Sequence, residues 1–199
     1  MKRLFDFCAA LLGLCVLAVP MLGIALAVRL DSPGPVFFRQ QRVGRHGRCF
    51  LIHKFRTMVA GADRAGLQVT ASTDPRITRV GGFLRRWKLD ELPQLLDVLA
   101  GDMSLVGPRP EVPRYVAHYP AEVRELVLGL RPGITDRASI EFRDEGRLLA
   151  EAADPERCYV EEILPRKLAY YVAYAREHSL AGDLAILLDT LAALTGRRG

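Results

Sequence analysis

Residues 85–110 read RRWKLDELPQLLDVLAGDMSLVGPRP and combine a short helix signal with clustered charge. Four leucines recur at helical spacing, at Leu92, Leu95, Leu96 and Leu99. This periodicity predicts a helix over 91–99 with one apolar face. Asp90 stands where a helix N-cap belongs, Pro93 is compatible with a first turn, and Gly101 should end the helix.

The charges around this helix predict a site for phosphate and a metal ion. Asp90 and Glu91 form a carboxylate pair at the positive end of the helix, and Arg85 lies just upstream. Downstream, a stiff turn would hold Arg109 between two prolines, in a fixed direction. An isolated Asp-Glu pair is more often a helix cap beside a surface charge. The combination favours Mg²⁺, which takes carboxylate oxygens together with phosphates, while arginines neutralise the remaining charge.

A β-hairpin with a basic tip is predicted before this region. Two short runs of β-prone residues, 36–38 and 49–52, flank the sequence RVGRHGR. Lys54 and Arg56 follow the second run, and residues two apart share one face of a strand. Both side chains are candidates for binding a diphosphate, although exposed bases beside a strand are the simpler interpretation. The tip is either a solvated loop or a contact with lipid headgroups.

The N-terminal segment is the main apolar element of the chain. Residues 7–28 carry no charge over 22 positions, enough to cross a bilayer core as a helix. A signal peptide and a single membrane span are two interpretations of this segment. Basic residues flank both ends, and such flanks tend to stay cytoplasmic. Pro20 should break the helix, so a re-entrant helix that enters and leaves on one side satisfies both observations.

Further helices are predicted over 113–128, 156–176 and a leucine-rich C-terminal segment that includes 184–194, and residues 58–73 predict a helix and a loop. The net charge of +5 in 199 residues indicates an anionic partner. Nucleic acid is disfavoured, because the basic residues do not alternate with stacking aromatic residues. The four cysteines form no CxxC pair, which argues against a disulfide framework and a zinc site.

Several motifs resemble those of the monotopic bacterial phosphoglycosyl transferases, the sugar transferases that start glycan assembly on polyprenyl phosphate. The main match is LDELPQL at 89–95 followed by GDMSLVGPRP at 101–110. Shorter matches are KRLFDF at 2–7, KFRTM at 54–58 and RPGIT at 131–135. The resemblance covers residues 1–135 well and the remainder weakly.

The resemblance implies an α/β (α+β) fold, mostly helical with a small antiparallel sheet. Residues 1–30 would form a re-entrant membrane helix and residues 31–199 a cytoplasmic catalytic domain with amphipathic helices at the membrane. The protein would then be monotopic, on the cytoplasmic face of the bacterial inner membrane. The family usually has serine where this chain has Val19, and a Gly-Trp-like pair where it has Asp136 and Arg137, a departure that bears on sugar identity.

The implied reaction moves a phosphosugar from a nucleotide-diphosphate sugar, a UDP-sugar in the first instance, to polyprenyl phosphate. Asp90 would be the nucleophile, Glu91 mainly a Mg²⁺ ligand, and Asp90 and Glu91 together the metal site. The bases that would bind substrate phosphates are Arg85, Arg109, Lys54 and Arg56. Membrane lipids are expected partners and a homodimer is left open. This would be the first membrane step of glycoconjugate synthesis.

Two other classes remain compatible with parts of the sequence. A membrane-bound Mg²⁺-dependent phosphohydrolase would use the same acids and arginines but would need no acceptor lipid. A non-catalytic adaptor would explain the net charge but not the Asp-Glu pair or the Pro-Arg-Pro turn. Product analysis with and without polyprenyl phosphate separates these classes.

Overall fold

A computed structural model of the protein describes residues 1–62 and 73–195, and it confirms a mostly helical fold with a small antiparallel sheet. Part of the predicted helix and loop over 58–73 therefore lies outside the described residues. The helices are α1 (Lys2–Asp31), α2 (Arg79–Arg86), α3 (Gln94–Ala100), α4 (Pro113–Val116), α5 (Ala121–Leu128), α6 (Arg137–Glu141), α7 (Glu145–Glu151), α8 (Pro155–Cys158), α9 (Leu164–Glu177) and α10 (Leu180–Leu194). The strands are β1 (Phe37–Val43), β2 (Cys49–Phe55), β3 (Ser104–Val106) and β4 (Gly133–Thr135).

The predicted hairpin with a basic tip is confirmed. β1 and β2 pair antiparallel, from Phe37 opposite Phe55 to Val43 opposite Cys49. A short 3-10 turn forms the tip over Arg45–Gly47. His46 has a φ of 57° there and Gly47 a φ of 75°, which a tight reversal of the chain requires. β2 continues three residues beyond the apolar run over 49–52, to Phe55.

A second pair of strands was not predicted. β3 and β4 are three residues each and pair in parallel, with Ser104 opposite Gly133 and Val106 opposite Thr135. They are too short to show a periodicity of their own. The backbones come close here, since a Cβ on Gly133 would lie 2.1 Å from the Gly107 nitrogen. Glycine is required because no side chain fits in that space.

α1 runs along the folded domain, and its backbone stays helical through Pro20. The predicted interruption of the helix at Pro20 is therefore wrong, whereas a bend at Pro20 within a continuous helix stays a prediction. A proline removes its own backbone hydrogen bond, yet the helical path can continue on both sides of it. Within the described ranges, α1 is the helix whose length and composition suffice to cross a membrane.

The two long sides of α1 differ in their surroundings. The inner side packs on the domain, with Ala10 against β2 and α3 and Val28 against α2. The outer side is an exposed apolar stripe at helical spacing, which we call the α1 stripe: Leu4, Phe7, Leu11, Leu12, Val16, Val19, Leu22, Leu26 and Leu30. A long apolar surface of this kind marks contact with a membrane or a partner.

The C-terminal half departs from the predicted helix bounds in two places. The single helix expected over 113–128 is two helices, α4 and α5, because Pro120 precedes α5. The helix expected over 156–176 consists of α8, a π-helical turn over Tyr159–Ile163, and α9. α10 confirms the leucine-rich C-terminal helix, and Ser179 caps its first turn through a hydrogen bond from the Gly182 N–H.

Candidate functional site

Asp90 and Glu91 lie in a 3-10 turn over Leu89–Glu91 that precedes α3. The prediction that Asp90 caps a helix over 91–99 is wrong, because α3 begins only at Gln94 and Asp90 makes no capping hydrogen bond. The turn places both carboxylates inside the domain, each about 8% exposed. Gly101 ends α3 with a φ of 93°, as predicted.

Glu91 is held by two bases that the sequence singled out. Lys54 Nζ donates to Glu91 Oε1 over 2.8 Å, and the Arg109 guanidinium donates to the same oxygen. Burial alone would raise the pKa of Glu91, but Arg109 and then Lys54 outweigh it and hold the pKa well below its usual range. Glu91 is therefore ionised in the folded protein.

Asp90 has a different environment although it is the next residue. Its Oδ1 atom is buried and has no hydrogen-bond partner within the described residues. Burial raises the pKa of Asp90, and the neighbouring Glu91 carboxylate raises it further, while Lys54, Lys88 and Arg85 act in the opposite direction. A buried carboxylate oxygen without a partner costs stability, so its retention points to a ligand or a chemical role.

Arg85 lies at the edge of this cluster and Arg56 lies outside it. Arg85 Nε donates to Thr57 Oγ1 over 2.8 Å, and the guanidinium is near enough to influence the pKa of Asp90. The Arg56 guanidinium instead donates to backbone carbonyls in the last turn of α1 and just after it, those of Val28, Ser32 and Pro33. In the described structure Arg56 thus fixes the end of α1, and its grouping with the phosphate-binding bases remains only a prediction.

The turn that carries Arg109 is held from two sides. Arg109 Nη1 donates to the Ile134 carbonyl over 3.1 Å beside β4, and the Gly133 N–H donates to the Pro108 carbonyl over 2.9 Å. On the other side, Arg42 Nη1 of β1 donates to the Pro110 carbonyl over 3.1 Å. These bonds hold the guanidinium against Glu91.

A buried polar group behind the turn was missed by sequence reasoning. Tyr159 donates its hydroxyl hydrogen to Glu111 Oε1, and Arg42 lies 3.7 Å from Glu111 Oε2. Asp136 is buried as well and caps α6 by accepting from the Ser139 N–H over 2.9 Å. Nothing local in the sequence marks the contacts of Glu111, because Arg42, Glu111 and Tyr159 are separated by tens of positions in the chain.

A second missed pair fixes β2 alongside α3. Asp97 accepts from the His53 backbone N–H over 2.9 Å and contacts His53 Nδ1 at 2.6 Å. Because Lys54 follows His53 directly, this pair sets the distance between Lys54 and Glu91. Asp97 lies in the central stretch over 85–110, but His53 lies just before the KFRTM motif and gave no spacing signal of its own.

The residues present fit a divalent cation that is coordinated partly by the protein and partly by a substrate. Among residues 1–62 and 73–195, no group of three or more His, Cys, Asp or Glu side chains could hold a metal alone. Asp90 Oδ1 is nevertheless a buried carboxylate oxygen with nothing bound to it. Mg²⁺ is commonly held by one or two carboxylates and by substrate phosphates, so Asp90 and Glu91 suffice as the protein's share.

Two buried acids ringed by half-buried bases, beside a long apolar helix, are typical of a site for phosphate compounds next to a membrane. Comparison with known proteins agrees with such a site. A model described as bacterial sugar transferase matches residues 1–197, and the chain belongs to that family.

Several curated relatives are similar over most of this chain. A UDP-glucose:undecaprenyl-phosphate glucose-1-phosphate transferase of Xanthomonas campestris pv. campestris is 39% identical over 99% of this chain and 39% of its own length. A UDP-N-acetylgalactosamine-undecaprenyl-phosphate N-acetylgalactosaminephosphotransferase of Aeromonas hydrophila is 37% identical, over 96% of this chain and 42% of its own length. A putative undecaprenyl-phosphate N-acetylgalactosaminyl 1-phosphate transferase of Bacillus subtilis is 42% identical over 68% of this chain and 72% of its own length. The chain thus spans less than half of the first two relatives.

Proposed function

We propose that this protein transfers a sugar phosphate from a UDP-sugar to polyprenyl phosphate, as the initiating step of glycoconjugate synthesis. The observation that carries the proposal is the buried Asp90 carboxylate with a free Oδ1, next to a Glu91 that Lys54 and Arg109 hold ionised. The relatives support the substrate classes, since their names specify UDP-sugar donors and undecaprenyl phosphate. The Mg²⁺ requirement and a homodimer remain predictions.

The chemistry divides into two displacements at one phosphorus. In the first, an Asp90 carboxylate oxygen attacks the phosphorus that bears the sugar, and the bond from that phosphorus to the bridging oxygen breaks. UMP leaves with the bonding electron pair, and the sugar phosphate stays on Asp90 as an acyl phosphate ester. In the second, a polyprenyl phosphate oxygen attacks the same phosphorus, and the Asp90 carboxylate is released unchanged.

The residues of the chain supply charge and orientation for both steps. Arg109 and Arg85 would take phosphate oxygens, and a guanidinium held by a rigid turn binds them in two directions at once. Lys54 would supply a further positive charge when its contact with Glu91 is exchanged for substrate. A bound Mg²⁺ would withdraw charge from the phosphate oxygens and so expose the phosphorus to a weak nucleophile.

The direct test is a panel of nucleotide sugars assayed for nucleoside monophosphate release, with and without polyprenyl phosphate. With the correct donor and Mg²⁺, the lipid should sustain turnover and accumulate as a diphosphate-linked sugar. Without the lipid, release should stop after about one nucleoside monophosphate per enzyme molecule. Continuous release of sugar phosphate or inorganic phosphate without the lipid would identify a phosphohydrolase and reject the transferase.

We also propose that α1 is re-entrant and that the domain lies on the cytoplasmic face. Both ends of α1 contact the same domain: Lys2 Nζ lies 2.6 Å from Asp183 Oδ2, and Arg56 donates to the Val28 carbonyl over 3.1 Å. Because the inner side of α1 packs on the domain from Ala10 to Val28, an upright crossing would carry part of that domain into the hydrocarbon core. The α1 stripe then faces lipid while the polar ends return to the domain.

Cysteine labelling in intact cells tests this topology. Single cysteines would be introduced as Lys2→Cys and Arg45→Cys after serine replaces the four native cysteines. Neither should react with a membrane-impermeant reagent added outside, because both lie on the cytoplasmic side. Both should react after permeabilisation, which serves as the control. External labelling at exactly one of the two would restore a spanning helix.

A further inference from the structure

A surface patch next to the carboxylate pair has no role in the scheme above. We call it the α2 patch and define it as Phe83, Arg86, Trp87 and Lys88, at the C-terminal end of α2. Phe83 is 57% exposed and Trp87 is 43% exposed. The same helix turns Leu84 inward, where it is buried against Val28 of α1. α2 therefore has a core-facing side, which Leu84 occupies, and the two large aromatic residues are exposed although that side is available.

The α2 patch adjoins the C-terminal end of the α1 stripe. The first turn of α2 lies beside the end of α1, since the Val80 N–H donates to Asp31 Oδ2 over 3.0 Å. Leu84, next to Phe83 in the patch, shares a core cluster with Val28 of α1. The last residues of the α1 stripe, Leu26 and Leu30, are exposed near this junction. A lipid chain in contact with the outer side of α1 thus meets aromatic side chains as it approaches the site. Tryptophan is favoured at such a boundary because its ring is apolar and its N–H is polar.

The two bases of the α2 patch are available for an anion. Within the described residues, the exposed Arg86 and Lys88 side chains have no ion pair, whereas Lys54, Arg85 and Arg109 are engaged around Glu91 and Thr57. The bases near the carboxylates therefore form two sets. Lys54, Arg85 and Arg109 lie within the site, and Arg86 and Lys88 lie on the surface outside it.

The backbone of Lys88 is strained. Its φ of 55° lies in the left-handed region, which is unfavourable for a non-glycine residue and is concentrated at functional sites. Lys88 lies two residues before Asp90 and acts electrostatically on both carboxylates.

We propose that the α2 patch binds the acceptor lipid, with the isoprenoid chain on Phe83 and Trp87 and its phosphate between Arg86 and Lys88. This rests on the proposed function, because it names the subsite for the second displacement. Lys54, Arg85 and Arg109 would hold the donor diphosphate, and the α2 patch would bring the acceptor phosphate to the same phosphorus. In-line geometry makes the acceptor attack opposite the Asp90 oxygen, on the side that UMP has left, so the α2 patch would hold the lipid next to that side.

Trp87 is the sole tryptophan of the chain and is a built-in probe of this site. Its fluorescence would be followed in detergent micelles as polyprenyl phosphate is added without any donor. We expect a saturable blue shift with polyprenyl phosphate, and little or no response to polyprenol or phosphatidylglycerol. No response, or an equal response to phosphatidylglycerol, would overturn the proposal, the latter by making the patch a general membrane contact. This measurement needs no turnover, so it stands even if the proposed reaction fails.

The two half-reactions provide a second measurement. Lys88→Asn removes the charge and suits the left-handed backbone, and Arg86→Gln removes the other charge. Arg86→Gln should keep the burst of UMP at the wild-type amplitude and rate, and Lys88→Asn should keep its amplitude. Discharge of the phosphosugar to polyprenyl phosphate should slow by about tenfold or more, because a charge-assisted contact is lost.

Arg79→Gln is the matched control, since Arg79 is exposed at the opposite end of the same helix. It should change neither half-reaction. Unaltered discharge in Lys88→Asn and Arg86→Gln would overturn the acceptor assignment. Equal slowing of burst and discharge would overturn it too, by placing these bases in the donor site. A wild-type protein without a burst but with the specific Trp87 response would reject the reaction and keep the lipid site.

Discussion

Replacing Asp90 by asparagine is expected to abolish the burst of UMP and the mass increase on the peptide that contains residue 90. Turnover should fall by at least about 10³-fold, because the amide keeps the shape of the side chain but cannot act as the nucleophile. Mass spectrometry after mixing with donor and Mg²⁺, without the acceptor lipid, measures the adduct directly. Absence of an adduct in the wild-type protein under these conditions would demote Asp90 to a metal ligand.

The same substitution should stabilise the folded protein near neutral pH. Burial raises the pKa of Asp90, so the folded state binds a proton more readily than the unfolded state does. The contribution of Asp90 to the free energy of unfolding therefore falls as pH rises from about 4, its pKa in the unfolded chain, through its raised pKa in the folded protein. Asp90→Asn removes that loss, so its melting temperature should exceed that of the wild type at neutral pH, and the difference should shrink toward about pH 4. A variant less stable at neutral pH would show that the ionised carboxylate is well paired.

Replacing Arg109 by lysine is expected to lower the rate of UMP release by about 10²-fold although the charge is retained. Arg109 donates at once to Glu91 and to the Ile134 carbonyl, and its fork is fixed by the turn between two prolines. A lysine ammonium is a point charge that cannot reproduce two directed bonds, and loss of one aligned donor typically costs about 10²- to 10³-fold. Pre-steady-state release of UMP in the absence of lipid is the measurement.

Arg147→Lys is the matched control for that substitution. Arg147 is exposed on α7 and pairs with Glu151 one turn away, so the same chemical change is made on a solvated face. It should leave the rate unchanged, as exposed pairs contribute little. Wild-type kinetics in Arg109→Lys would show that Arg109 acts only as a structural partner of Glu91.

How far the site follows from sequence differs from residue to residue. Asp90, Glu91, Lys54 and Arg109 were all singled out, and the structure brings them together. Arg56 was grouped with them because it shares a strand face with Lys54, but β2 ends at Phe55 and Arg56 turns to the end of α1. Alternation along a strand predicts which face a side chain occupies only for residues within the strand.

Local sequence determined the elements whose signals lie within a few residues. The hairpin, the Gly101 end of α3 and the leucine-rich C-terminal helix follow from periodicity, turn residues and left-handed glycine, which act over short distances in the chain. The apolar run of α1 likewise specified a long helix, although the effect of Pro20 on it was overestimated.

Only the tertiary structure decided what joins residues far apart in the chain. The β3–β4 pair needs Gly107 and Gly133 to meet, and the turn of Arg109 needs Arg42, Glu111 and Tyr159 behind it. The same holds for the opposite environments of two adjacent carboxylates, since Glu91 meets Lys54 and Arg109 while Asp90 Oδ1 meets nothing. Burial and charge depend on distances in space, and no periodicity in the sequence encodes them.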